Sequence, residues 1–111
     1  MKIEELNYGA VAVVRPIGAL TQDDAERLKT QMLEVRVKSL GRLVLDASNV
    51  PFIDSRGLEV LVEVSQQLTQ TGQVLKIAGV NDVLREVFEL TELTCEFEHF
   101  TDVNSAVRSF L

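Results

Sequence analysis

Tryptophan is absent and cysteine occurs once, so this 111-residue chain cannot be a disulfide-stapled fold: Cys95 has no intramolecular partner. With one histidine, His99, there is also no Cys/His set for a structural zinc. A reducing, cytoplasmic setting is expected. Cys95, among Leu93, Thr94 and Phe97, is expected as a small buried hydrophobe rather than a reactive thiol. Basic charge is scarce too: 11 Lys and Arg against 17 Asp and Glu leave a formal net charge of -6. Clustered cations hold phosphate backbones and anionic lipid. No basic stripe exists here, so neither nucleic acid nor an anionic membrane surface is an expected partner. No apolar run approaches the roughly 20 residues of a membrane span. The opening MKIEEL lacks the basic and long apolar regions of a secretion signal, so a protein that stays inside without membrane insertion is expected. Repeats, low-complexity tracts and linkers are missing, which predicts one domain over residues 1–111. No GxxxxGK[ST] loop cradles nucleotide phosphates, and no cofactor or metal is expected.

What is there is sorted by period, in a composition (46% hydrophobic, 25% charged) that belongs to globular rather than disordered chains. Lys2–Leu6 reads as an edge strand and Asn7-Tyr8-Gly9 as a hairpin turn. Ala10–Val14 is a valine-rich buried strand extending towards Leu20, with Pro16 at a strand end or bulge because it cannot donate to a ladder. Thr21 with Asp24 is a variant of the capping box. Ala25, Leu28, Met32 and Val35 then recur at helical spacing, with Gly41 as the stop. Arg42–Ala47 reads as a buried strand. Leu58, Leu61, Val62, Ser65 and Leu68 form one face of a helix from Ser55 to Gln70, ended by Gly72. Val74–Ala78 is another short strand. Asn81 or Asp82 caps a helix carrying Leu84, Val87 and Phe88. A last strand over Glu96–Phe100 and a helix capped by Thr101 or Asp102 close the order ββαβαβαβα. Alternation of this kind predicts an α/β fold: a mixed, mostly parallel sheet of about five strands, an N-terminal antiparallel hairpin and about four helices.

Between the buried strand and the second helix sits VPFIDSRGLEVL, with Asp54, Ser55, Arg56 and Gly57 as a polar knot. Ligands and chemistry collect at such strand-to-helix corners in α/β sheets. Asp54 or Ser55 would serve as an ordinary N-cap. Two neighbours break local rules, however. Gly57 in a first helical turn costs roughly 1 kcal/mol against alanine, and Arg56 sets a positive charge at the positive end of the helix. Rule-breaking clusters at functional positions. A missing side chain at Gly57 is expected to let another chain approach, while Arg56 is expected chiefly as a solvated charge. Val60 and Val64, off the inferred core face, leave open whether they line a partner surface or pack against a neighbouring helix.

The segment from Leu43 to Leu61, LVLDASNVPFIDSRGLEVL, resembles the signature of bacterial anti-sigma factor antagonists, the STAS-domain family. It has an apolar strand, a short polar loop, an aromatic-apolar pair, and Asp-Ser-x-Gly-Leu opening a helix. The resemblance extends from the early strand through Ile17-Gly18-Ala19-Leu20 to the helix ending near Leu93, and implies a single STAS-like domain that is not an enzyme. It implies reversible phosphorylation of Ser55, binding to a serine-kinase anti-sigma factor when Ser55 is unmodified, and restoration by a serine phosphatase. Partner contacts are implied at Thr21, Asp23, Asp54, Ser55, Arg56 and Gly57. Thr21 stands where the family often has aspartate, with Asp23 and Asp24 near enough to compensate, and Arg56 stands where a small residue is frequent. STAS-like domains also serve as structural or regulatory subunits of membrane transport and stress-signalling assemblies, which is the alternative.

Other chemistries fit poorly. A serine hydrolase needs a base beside Ser55, but the only histidine lies in EFEHF, and DSRG is not a G-x-S-x-G elbow. A phospho-aspartate receiver built on Asp46 lacks an acidic pair in VVRPIGAL to hold magnesium.

Overall fold

In the computed structural model, which describes residues Met1–Leu111, the chain opens with an antiparallel pair, β1 (Lys2–Tyr8) and β2 (Val11–Ile17). Tyr8 pairs with Val11, so the turn is Gly9–Ala10, beyond the expected Asn7-Tyr8-Gly9. Gly9 has φ 66°, the left-handed conformation that tight hairpins demand and glycine adopts freely. Pro16 pairs with Ile3 near the end of β2, past Val14, the last residue shared with the next strand. Its missing N–H therefore deprives no second neighbour.

Three parallel strands continue the sheet: β3 (Leu43–Asp46), β4 (Leu75–Ala78) and β5 (Phe97–Phe100), in the spatial order β1-β2-β3-β4-β5. Helices α1 (Gln22–Lys38), α2 (Ser55–Thr69) and α3 (Asp82–Leu90) connect successive parallel strands, and α4 (Val103–Arg108) follows β5. The expected architecture is present: a five-stranded mixed sheet, antiparallel only at its first pair, with four helices.

Strand alternation divides the core between the two faces of the sheet. Ala12, Val14, Leu43, Leu45, Leu75 and Ile77 join the buried residues of α1, α2 and α3 on one face. Val11, Val13, Val44 and Ala78 meet Ala106 of α4 on the other. Ala25, Leu28, Met32 and Val35 are buried as their spacing predicts. Each buried Leu, Met or Val in this set stabilises the fold by about 1.5–3 kcal/mol. The buried face of α2 is wider than its sequence suggests: Val60 and Val64 are fully buried where α2 lies against α1, and Val62 is only half-buried. Ser65, also fully buried, donates its hydroxyl to the Glu96 carbonyl at 2.9 Å.

Asn81 and Asp102 are the N-caps of α3 and α4, accepting from Leu84 N and Ser105 N at 2.8 and 2.7 Å. The chain leaves α1 through Leu40, at φ 56°, before the expected stop at Gly41. Cys95 contradicts its expected burial. It lies in a one-turn 3-10 helix, Thr94–Glu96, and is exposed, because Leu93 and Phe97 take the inward positions on either side of it.

Candidate functional site

The loop from β3 to α2 runs past two other connections and is tied to both. On one side, Gly18 N donates to Asn49 O, Leu20 N to Phe52 O and Asp54 N to Leu20 O, each at 3.0 Å. Leu20 and Ile53 form a parallel bridge there. On the other, the Asn81 amide donates to Val50 O at 3.1 Å. At its start, buried Asp46 accepts from Arg15 Nε at 3.0 Å, and from Ser48 N at 3.0 Å and Ser48 Oγ at 2.7 Å. The bond to Asp46 raises the Arg15 pKa above its ordinary value. Asp46 is thus a structural anchor with its oxygens occupied.

Asp54 caps two helices at once. One oxygen, Oδ1, accepts from Gly57 N in the first turn of α2 at 2.8 Å. The other, Oδ2, accepts from Gln22 N, the first residue of α1, also at 2.8 Å. Helix starts leave four N–H groups without intrahelical partners, and a single carboxylate meets one in each helix. Thr21 occupies the N-cap position of α1, but its side chain makes no cap bond. The expected Thr21–Asp24 capping box is therefore absent, its place taken by Asp54, 32 positions beyond the Gln22 N–H that it accepts from. Asp24 instead lies 3.7 Å from the N-terminal ammonium.

Gly57 and Arg56 also differ from expectation. Gly57 is buried, and a Cβ on it would lie 2.6 Å from Leu20 O and 2.8 Å from Ile53 Cγ1. The close approach that glycine permits is made by its own chain, not by a partner. Arg56 is paired rather than simply solvated. Its guanidinium binds Glu59 at 3.0 Å and Glu63 at 2.9 Å, and reaches across to Glu26 of α1. Those carboxylates, Glu26 foremost, raise its pKa further above the guanidinium range. Lys29 of α1 binds Glu63 at 2.7 Å. Lys29 first and Arg56 second hold the Glu63 carboxyl below its usual range. Acids from α1 and α2 thereby offset the cation at the helix start: Glu59 at i+3 is a local partner, whereas Glu26 of α1 is a tertiary one with no local sequence signal.

Ser55 stands apart from this network. It is exposed at the first position of α2, and the cap beneath it belongs to Asp54. The double cap brings the start of α1, with half-buried Thr21 and exposed Asp23, beside the start of α2. Sequence reasoning missed the apolar surroundings. Phe52 is 49% exposed just before the corner. A groove of about 360 Å³ is lined by Ser55, Leu58, Glu59, Val62, Glu63 and Leu93. Half-buried Val62, at i+7 from Ser55, was the available signal. His99 lines a different cleft, between α3 and β5, with its Nε2 3.1 Å from Thr94 O.

The five-stranded mixed sheet with its four helices agrees with the comparisons to known proteins. The STAS domain family matches residues 2–106. This chain is a STAS-domain protein. Among its relatives, a Bordetella bronchiseptica protein named as anti-sigma factor antagonist BtrV is 29% identical over 93 residues, 84% of this chain and 80% of that one. The anti-sigma F factor antagonist of Paenibacillus polymyxa is 26% identical over 94 residues, with the same 84% and 80% shares. A Thermotoga maritima structure described as an anti-sigma factor antagonist superposes with a TM-score of 0.88 at 20% identity, covering 96% of this chain and 92% of that one. The fold also matches the anti-sigma factor antagonist SpoIIAA in its unphosphorylated form (TM-score 0.73, 12% identity, 98% and 96% covered). Against the phosphorylated form of the Bacillus protein the score is 0.72 at 14% identity, with 97% and 99% covered. No helix of this STAS domain is long and apolar enough to cross a membrane.

Proposed function

We propose that this STAS domain is an anti-sigma factor antagonist, and that phosphorylation of Ser55 switches its binding to a serine-kinase anti-sigma factor. The observation that carries the proposal is the exposure of Ser55 directly above a cap it does not supply. Its hydroxyl can be esterified without removing a bond that holds the corner. In the transfer, Ser55 Oγ forms the new bond to the γ-phosphorus of ATP, the bond to ADP breaks, and the hydroxyl proton passes to a base. ATP and the base belong to the kinase. A serine phosphatase reverses the step by hydrolysis. A cytoplasmic protein is required, because ATP and both enzymes are there.

Thr21, Asp23 and Ser55 offer accessible atoms to the kinase, while Asp54 and Gly57 act from beneath by fixing the corner. A phosphate adds a charge of about -1.5 to -2. Exposed at a helix N-terminus it is tolerated by the fold. Inside an interface it needs a cation, and Arg56, the nearest in sequence, is held by Glu26, Glu59 and Glu63. Leaving a charge buried and unpaired costs several kcal/mol, whereas tenfold in affinity takes about 1.4 kcal/mol. Exclusion from the interface is sufficient without a change of fold. SpoIIAA keeps a similar likeness to this chain in both of its forms, which supports a switch of that kind.

The test combines the purified chain with the serine-kinase anti-sigma factors of the same cell and ATP. Expected are a stable complex without ATP, one added phosphoryl group on Ser55 by mass spectrometry, and loss of the complex after transfer. Ser55→Ala should bind and never be released. A Ser55 that stays unmodified in the cell, with recovery of the protein among transporter subunits, would instead favour a structural subunit.

A further inference from the structure

Ser55 is one wall of the groove between α2 and the turn that follows α3. The orientation of α3 defines the other side. Arg85 and Glu89 face the cleft against β5. At 100° per residue, Val83, Val87 and Leu90 fall on the flank of α3 opposite that cleft; they lie outside the groove's own lining, which this end of the chain reaches through Leu93. Val87 is partly buried, but Val83 is 51% and Leu90 76% exposed. Large exposed apolar side chains aligned on one helix flank mark an interaction surface. Its rim is acidic. Glu59, Glu86 and Glu92 are exposed around it, and the adjacent cation, Arg56, is already engaged by carboxylates.

Interface size connects the groove to Ser55. A specific complex covers about 800 Å² of each partner, a disc of roughly 16 Å radius. Val62 lies only about 10 Å along the helix axis from Ser55, at 1.5 Å per residue. A protein of ordinary interface size centred on Ser55 therefore covers the groove as well. We infer that the groove and the Val83–Val87–Leu90 stripe form the second half of the docking surface for the kinase that acts on Ser55, receiving an apolar segment of that kinase bordered by lysine or arginine. The inference rests on the proposed kinase partner and adds the part of the surface that does not touch the phosphorylated residue.

The experiment measures binding of the unphosphorylated chain to the purified serine-kinase anti-sigma factors of the same cell by calorimetry. The double variant Val83→Lys/Leu90→Lys should weaken Kd at least 30-fold with an unchanged circular-dichroism spectrum. Val37→Lys/Leu40→Lys, at exposed positions around the far end of α1, should remain within twofold of the parent. Glu86→Lys should weaken binding and reduce its dependence on salt. If the α3 double variant binds within threefold of the parent while Ser55→Asp does not, the surface assigned here is wrong and the Ser55 proposal stands. If the parent chain binds none of the kinases, both fall together. Self-association of the parent that Val83→Lys/Leu90→Lys abolishes would assign the surface to a second copy and overturn the inference.

Discussion

Asp54 and Ser55 are consecutive residues with opposite commitments. Both oxygens of Asp54 are spent inside the fold, joining the starts of α1 and α2, while Ser55 faces solvent one position later. The difference separates what aims the site from what the site offers. A hydroxyl that a foreign enzyme must find benefits from a fixed backbone, and two helices capped by one carboxylate supply it. The chemistry remains free because Ser55 takes no part in that capping.

The largest test of the contrast is Asp54→Ala. Losing an N-cap costs about 0.5–2 kcal/mol, and two are lost together, so a destabilisation of about 3 kcal/mol is expected. For a domain of this size that is a fall in Tm of roughly 12 °C, measurable by calorimetry. Asp54→Asn keeps the shape but only one acceptor oxygen, and should fall about halfway. An unchanged Tm in both would remove Asp54 from its role beneath the site.

Gly57→Ala comes next. Alanine gains roughly 1 kcal/mol in helix propensity over glycine, so a helix-only view expects stabilisation. Its Cβ, however, would meet the Leu20 carbonyl at 2.6 Å, and backbone gives way less readily than a side-chain tip. Overpacking of this kind costs about 1–3 kcal/mol; a net loss of about 1 kcal/mol in urea denaturation is expected, and a gain would show that the two loops are loosely packed.

A smaller effect is confined to acid. Glu63 is held below its ordinary carboxylate range by Lys29 and then Arg56, and Asp102 is held low first by the Ser105 backbone N–H. Between each folded pKa and the ordinary value, about 4.3 for glutamate and about 3.9 for aspartate, the unfolded chain binds more protons, so stability rises with pH. The contribution is complete above that ordinary value and disappears as pH falls through the folded one. Glu63→Gln should flatten the acid limb of a stability–pH curve and leave its slope near neutrality unchanged.

Sequence periodicity carried the architecture because strand alternation and helical spacing are local records of which face is buried. Ala12 and Val14 against Val11 and Val13 already divide the two sides of the sheet. Contacts between elements distant in sequence were not legible. The Asp54–Gln22 cap spans 32 residues and the Arg56–Glu26 pair 30, so Thr21 read as a cap and Arg56 as solvated. Gly57 was noticed for the correct anomaly and given the wrong neighbour, because a missing Cβ does not say which chain fills the space. Cys95 misled for a related reason: in a strand, apolar residues at i−2 and i+2 share the face of the residue between them, but Thr94–Glu96 is a 3-10 turn at three residues per turn, which sends Cys95 away from Leu93 and Phe97.

The smallest expected effect on stability, and the most telling, belongs to Ser55→Asp. An aspartate in the first turn of α2 interacts favourably with the helix dipole by about 0.3–1 kcal/mol. The carboxylate of Asp54 next to it and that of Glu59 one turn on oppose it with like charge. These contributions have similar size and opposite sign, and no hydrogen bond of the cap is removed. The Tm should move by less than about 4 °C, the shift that 1 kcal/mol produces in a domain of this size, and the denaturant slope should stay constant. Kinase binding, by contrast, should weaken at least tenfold, since about 1.4 kcal/mol of unpaired interfacial charge is enough. A melted Ser55→Asp protein would put the serine into the same structural role as its neighbour, and the division of labour between the two residues would be lost.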